Sequence, residues 1–151
     1  MEIMEYAPYL LRLFLAMVIG GLIGYERMES NHEAGLRTHI LVCLGSATIM
    51  VLSELLYVRY GSGDITRLGA QVISGIGFLG AGSIIIDQTK NKIKGITTAA
   101  GIWATAALGL VIGMGYYVIA VFVFILIIIA MLGLKPLIEK IMRINTNTAI
   151  T

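Results

Sequence analysis

The sequence predicts an all-α integral membrane protein with five transmembrane helices, its N-terminus outside and its C-terminus cytoplasmic. Three observations carry this. Of the 151 residues, 58% are hydrophobic and only 13% are charged, about half the charged share of a soluble domain. Five runs approach the ~20 apolar residues that a spanning helix needs. Lys and Arg gather on alternate connections, as they do on the cytoplasmic side of membranes.

The five runs cover residues 7–25, 39–58, 65–86, 95–113 and 116–134. The first is a span and not a secretory signal, because MEIMEY is acidic where a signal is basic. The link GMGY between the last two is so short that they form an antiparallel hairpin. Residues 26–38 carry Arg27 and Arg37, residues 87–94 carry Lys90, Lys92 and Lys94, and the C-terminal segment carries Lys135, Lys140 and Arg143. That side holds eight of the eleven basic residues. Residues 1–144 read as one transmembrane domain and 145–151 as a short polar tail.

Several function classes drop out. The net charge is +2 and no basic stripe is present, which argues against nucleic acid. His32 and His39 are too few and too far apart for a zinc site or a triad, and no nucleophile has a base nearby, so no enzyme is expected. Cys43 is the single cysteine and reads as a small buried hydrophobe.

Residues 75–80 read GIGFLG, which matches G-x-G-x-x-G. A dinucleotide fingerprint follows a strand and meets an acid about 20 residues on. Here the glycines lie inside an apolar run, and Asp87 follows Gly80 by seven residues. Close helix packing explains them better, because lipid tails give apolar side chains little reason to associate and small residues let backbones approach. Ala70, Ser74, Gly77 and Ala81 form one stripe; Thr97, Gly101, Thr105, Gly109 and Gly113 form a second; Ala16, Gly20 and Gly24 form a third. The fifth run lacks a stripe and is expected at the periphery, with Ile127 facing lipid.

The stretches GGLIGYER (20–27), AGLRTH (34–39), DITR (64–67), QVISGIGFLGAG (71–82) and GITTAAGIW (95–103) resemble the MgtC/SapB family of bacterial membrane proteins. The resemblance runs from the first helix through the fourth. It implies a multi-pass protein of the bacterial inner membrane that supports growth under magnesium limitation and survival inside macrophages. It also implies action by regulating other membrane proteins, the rotary ATP synthase among them. Longer members add a soluble C-terminal domain, whereas this chain stops at Thr151, so it resembles a short form. Gly101 stands where the family pattern suggests Thr or Ser.

Charges inside a membrane cost about 2.5–3.5 kcal/mol at mid-span on insertion scales, so their placement is informative. Arg12 and Glu54 share a depth near the outer end of two helices. Either each snorkels to the interface or they pair. At the cytoplasmic end Glu26, Arg27, Arg37, Thr38, His39, Asp87, Thr97 and Thr98 fall on four helix ends at one level. Capping and interfacial solvation account for such groups. The sharper alternative is a shallow site in which Glu26 and Asp87 hold a cation such as Mg2+, which needs only one or two carboxylates. No other cofactor is expected. Outside, Asp64 and Arg67 open the third helix, with Gln71 and Ser74 one turn apart below them, suited to interhelical hydrogen bonds or to a vestibule.

The expected function is therefore regulation of other membrane proteins through helix contacts, in a homo-oligomer surrounded by membrane lipids. The alternative is an oligomeric transporter or channel for magnesium or another cation. It is weakened because mid-depth offers Ser46, Thr48 and Thr105 but no carboxylate.

Overall fold

The computed structural model describes residues 3–30, 32–87 and 92–133. Five α-helices carry the fold: α1 (Ile3–Glu29), α2 (Leu36–Tyr60), α3 (Thr66–Gly82), α4 (Ile96–Gly113) and α5 (Tyr117–Ile128), the last continued by a π-helical turn, Ile129–Gly133. Helices α1, α2 and α4 are long and apolar enough to cross a membrane. The polar tail 145–151 lies outside the described residues.

Neighbouring contacts give the helix directions. Gly24 on α1 meets Leu36 on α2, while Arg12 on α1 meets Glu54, so α1 and α2 are antiparallel. Ser53 of α2 bonds the Ile65 carbonyl just before α3. Gly80 of α3 faces Ala99 of α4, and Gly69 faces Leu110. Met131 reaches Gly101 and turns α5 back along α4. Each helix therefore reverses the direction of the one before it. Helix α4 contacts all four others and is the axis of the bundle.

The core joins α1, α2 and α4. Ala16, Ile23, Cys43, Ala47, Leu108 and Ile112 are sealed from solvent and lipid, with Ala120 of α5 beside them. Small residues make this approach possible. A Cβ at Gly20 would lie 2.7 Å from the His39 carbonyl oxygen, and one at Gly113 would lie 2.6 Å from the Ala47 carbonyl oxygen. At Gly109 a Cβ would collide with the Cys43 carbonyl. Gly101, Thr105, Gly109 and Gly113 of the second stripe are buried, but Thr97 is exposed.

Three expectations are corrected. The third span does not run to Ile86. Helix α3 stops at Gly82, Ser83 caps it by donating its hydroxyl to the Gly80 carbonyl at 2.8 Å, and the chain enters a hairpin. In that hairpin β1 (Ile85–Asp87) pairs antiparallel with β2 (Lys92–Lys94). The apolar triplet Ile84–Ile86 looks like the end of a span but serves as a strand. Gly95 closes the hairpin against the end of α3 at φ +86°, where any side chain would collide with the Ser83 carbonyl.

The second correction concerns α3 itself. Its packed face is Gly69, Ile76 and Gly80, while Ala70, Ser74, Gly77 and Ala81 are exposed. Gly77 has no neighbour within reach of a Cβ. The face chosen is the one on which Gly69 admits the large side chains of Met50 and Leu110 and Gly80 meets Ala99.

The third concerns Ile127. It is half-buried and packs on the core with Val123, Phe124 and Ile128, whereas Val118 and Phe122 point outward. Ala120 is the buried residue of α5, which places that helix at the periphery as expected.

Candidate functional site

The most enclosed charged side chain among the described residues is Arg27, at 1% exposure. It sits on the last turn of α1, where the chain folds back over it. The Ser30 N–H bonds the Glu26 carbonyl at 3.1 Å and the His32 N–H bonds the Arg27 carbonyl at 3.1 Å. Gly24 allows the start of α2 to close on the same turn, because a Cβ there would lie 2.7 Å from Leu36 Cα. Burying a guanidinium in this way requires a paired charge and hydrogen bonds. The Glu26 carboxylate pairs with Arg27 Nε and Nη2. Ser30 donates to the same carboxylate at 2.9 Å, and His32 Nε2 lies 3.4 Å from Arg27 Nη1.

One turn deeper, His39 is fully buried, with Nδ1 2.8 Å from Thr105 Oγ1. The Thr105 hydroxyl donates its proton to the Gly101 carbonyl at 2.8 Å. It must therefore accept from His39, and hydrogen-bond logic assigns the proton to Nδ1. His39 Nε2 is buried and makes no hydrogen bond of ordinary geometry among the described residues, with the Ala34 backbone as its neighbour. Thr98 is buried at the same end, at 3% exposure.

The predicted cytoplasmic cluster thus divides. Glu26, Arg27, His39 and Thr98 point inward, Thr38 is half-buried, and Arg37 and Thr97 are exposed. The backbone of Asp87 pairs with Lys92 in the hairpin, and its side chain lies outside the described residues. Among the described residues no three His, Cys, Asp or Glu side chains gather as a metal group. The Glu26 carboxylate is engaged by Arg27 and Ser30, which is the chemistry of an internal ion pair and not of an open ligand. Sequence reasoning passed over His32 as a cover for Arg27, because only the fold-back after α1, in which the His32 N–H bonds the Arg27 carbonyl, brings it there.

At the opposite end Arg12 and Glu54 form the interhelical pair, 2.5 Å apart. Arg12 also donates to the Gly113 carbonyl at 2.9 Å and lies over the Tyr9 ring at 5.1 Å from its centroid. Three helices are therefore tied by one guanidinium. Asp64, in the connection before α3, accepts from the Thr66 N–H at 2.8 Å and the Thr66 hydroxyl at 2.6 Å. Those bonds, with lesser help from Arg67, hold its carboxyl below the usual range. Gln71 and Ser74 are exposed and make no interhelical side-chain bond among the described residues.

Comparison with known proteins follows the same lines. The MgtC family model matches residues 13–140. A protein of Escherichia coli named "Putative magnesium transporter YhiD" is 37% identical over 150 residues, covering 96% of this chain and 69% of that protein. Protein MgtC of Brucella abortus is 43% identical over 124 residues, covering 82% of this chain and 50% of its own length. Protein MgtC of Salmonella typhimurium is 40% identical over 144 residues, covering 95% and 58%. The chain thus spans between 50% and 69% of the length of these relatives. No solved structure matches it. With the matched region running from α1 past α5, the chain belongs to the MgtC family.

Proposed function

We propose that this chain is a multi-pass protein of the bacterial inner membrane that serves magnesium homeostasis by docking to other membrane proteins within the bilayer. The name of the YhiD relative supports the link to magnesium. The observation that carries the docking is the uncovered small-residue stripe on α3. Ala70, Ser74, Gly77 and Ala81 face outward along a helix whose other face is already packed. In lipid such a stripe is the surface on which a second helix approaches closely.

Transport through the bundle has less support. A path needs polar groups open to water near the midplane. Ser46 bonds the Val42 carbonyl at 2.8 Å, Thr48 bonds the Leu44 carbonyl at 2.8 Å, and Thr105 bonds Gly101 and His39. Each mid-depth hydroxyl is spent inside the protein. The reading takes all five helices as spans, with the N-terminus outside; the alternating helix directions support it. Partners include a second copy and, following the family resemblance, the ATP synthase. Stress adaptation follows from the same role, and no catalysis is involved.

Two measurements test this. Liposomes containing only this protein should show no magnesium flux above protein-free liposomes, and clear flux would establish the transporter instead. In magnesium-limited cells, Gly77→Leu should abolish growth support while the protein stays folded in the membrane. Full growth support from that variant would remove the docking surface.

A further inference from the structure

Helices α2 and α3 diverge enough to leave a recess of about 710 Å³ between them. Its α2 wall includes Gly45 and Ile49, and its α3 wall includes Val72, Gly75 and Leu79. A second, smaller recess of about 250 Å³ lies at the outer end of the same two helices, under the connection that joins them. Its walls are Ser53 and Leu56 on α2 and Leu68 on α3, with Asp64 and Arg67 at its rim.

The linings of the two recesses follow the same faces of α2 and α3, and together they define an α2–α3 seam. On α2, Gly45, Ile49, Ser53 and Leu56 fall at helical spacings of four, four and three. On α3, Leu68, Val72, Gly75 and Leu79 fall at spacings of four, three and four. These spacings keep each set on one face. From Leu41 to Tyr57 the seam is about 24 Å long at 1.5 Å per residue. One leaflet of a bilayer, headgroup included, is roughly 20–22 Å thick. The α3 stripe of Ala70, Ser74, Gly77 and Ala81 does not line either recess.

We propose that the α2–α3 seam is a binding site for one zwitterionic phospholipid of the phosphoethanolamine class. The rim fixes the headgroup by charge complementarity. Asp64 caps Thr66 through Oδ1 and is exposed, so its carboxylate meets an ammonium. Arg67 makes no side-chain hydrogen bond among the described residues and feels Asp64 only as a weak neighbouring charge, so its guanidinium meets the phosphate, for which its fork geometry is suited. Ser53 holds the floor of this recess by donating to the Ile65 carbonyl at 2.6 Å. Tyr57 stands on the wall at the depth where Tyr collects in membranes. Below, the recess between Gly45 and Gly75 takes an acyl chain, its volume within the range of ligand sites.

The glycines make the test clean. Neither Gly45 nor Gly75 has any atom within 4 Å of an added Cβ, so Gly45→Leu and Gly75→Leu fill the recess without disturbing packing. The purified full chain, stripped of lipid in detergent, is titrated with palmitoyl-oleoyl phosphatidylethanolamine and followed by native mass spectrometry. One adduct should form on the wild type. Affinity should fall roughly tenfold or more in Arg67→Gln, the loss of one charge-assisted hydrogen bond, and comparably in Gly45→Leu. Melting temperature should be unchanged in Gly45→Leu, which separates blocked binding from misfolding. Equal binding by wild type and both variants overturns the site. Equal binding of palmitoyl-oleoyl phosphatidylglycerol overturns the zwitterion. An adduct formed as well by free phosphoethanolamine overturns the acyl groove. A dimer that dissociates in Gly45→Leu, with no lipid adduct on the wild type, gives the seam to a second copy.

Discussion

His39 on α2 donates from Nδ1 to Thr105 Oγ1 on α4, across 2.8 Å of fully buried space. The bond lies beside Gly101, where an added Cβ would sit 3.7 Å from His39 Cε1, in ordinary contact. It ties the start of α2 to the middle of the central helix. Interhelical hydrogen bonds in membranes average about 0.6 kcal/mol in double-mutant cycles and reach about 1.7. A cycle over His39→Phe and Thr105→Val, followed by unfolding in detergent micelles, should give a coupling in that range. Zero coupling would mean that the two side chains do not act together.

Arg12 is a larger hub, because it serves Glu54, the Gly113 carbonyl and the Tyr9 ring at once. Arg12→Gln should therefore destabilise the bundle more than Glu54→Gln does, by about 1–3 kcal/mol for the stranded acceptors. The pair Arg12→Met with Glu54→Leu should recover part of that loss, since apolar replacement of both partners removes the uncompensated charge. Thermal unfolding of the four proteins checks the order. A larger loss in Glu54→Gln would contradict the geometry.

The glycines divide into two groups with opposite expectations. Gly109→Leu forces α4 away from Cys43 and Ser46 and should cost at least about 1–3 kcal/mol, the range for overpacking. Gly20→Leu should do the same at the α1–α2 contact. Gly77→Leu should change folding stability by less than about 0.5 kcal/mol, as an uncrowded surface position does. Unfolding midpoints in one detergent decide the matter; a collapse of Gly77→Leu would show that the stripe is covered within the chain.

Asp64 supplies the pH dependence. Its carboxyl is held below its ordinary value by the Thr66 hydroxyl and N–H. A depressed folded value adds stability that is present above the unfolded carboxylate range and is lost as pH falls through the folded value. Stability should thus decline from about pH 5 downward, by a small amount because Asp64 is fully exposed. Asp64→Ala should flatten that decline. An unchanged pH profile in the variant would assign the acid loss elsewhere.

The stripe on α4 was legible because its small residues repeat every four positions along a whole helix. The contact surfaces of α1 read the same way. On α3 the spacing was ambiguous, since Gly69, Ile76 and Gly80 make as good a face as Ala70, Ser74, Gly77 and Ala81. Only the positions of Met50 and Leu110 decide between them. The end of α3 was hidden because Ile84–Ile86 is apolar in a strand as it would be in a span. At the polar end, helix-end residues were visible but their directions were not. Arg27 and Arg37 look alike in sequence; one is sealed by the fold-back at His32 and the other is exposed. The Arg12–Glu54 pair was accessible from depth alone, while the Gly113 carbonyl that completes it depends on where α4 ends.

The last expectation concerns Glu26. Its carboxylate already receives Arg27 and Ser30, so a magnesium ion there would have to displace a buried guanidinium. Glu26→Gln removes the counter-charge from an arginine at 1% exposure. Breaking a buried pair from one side costs about 3–5 kcal/mol, because the remaining charge is uncompensated. Glu26→Gln should therefore lose folded protein in proportion to lost activity, and Arg27→Met with Glu26→Gln should restore part of the fold. A ligand that binds only the folded state raises the melting temperature. Magnesium should accordingly produce the same shift, or none, in the wild type and in the double variant. A shift seen only when Glu26 is present would make that carboxylate a cation ligand and not the partner of Arg27.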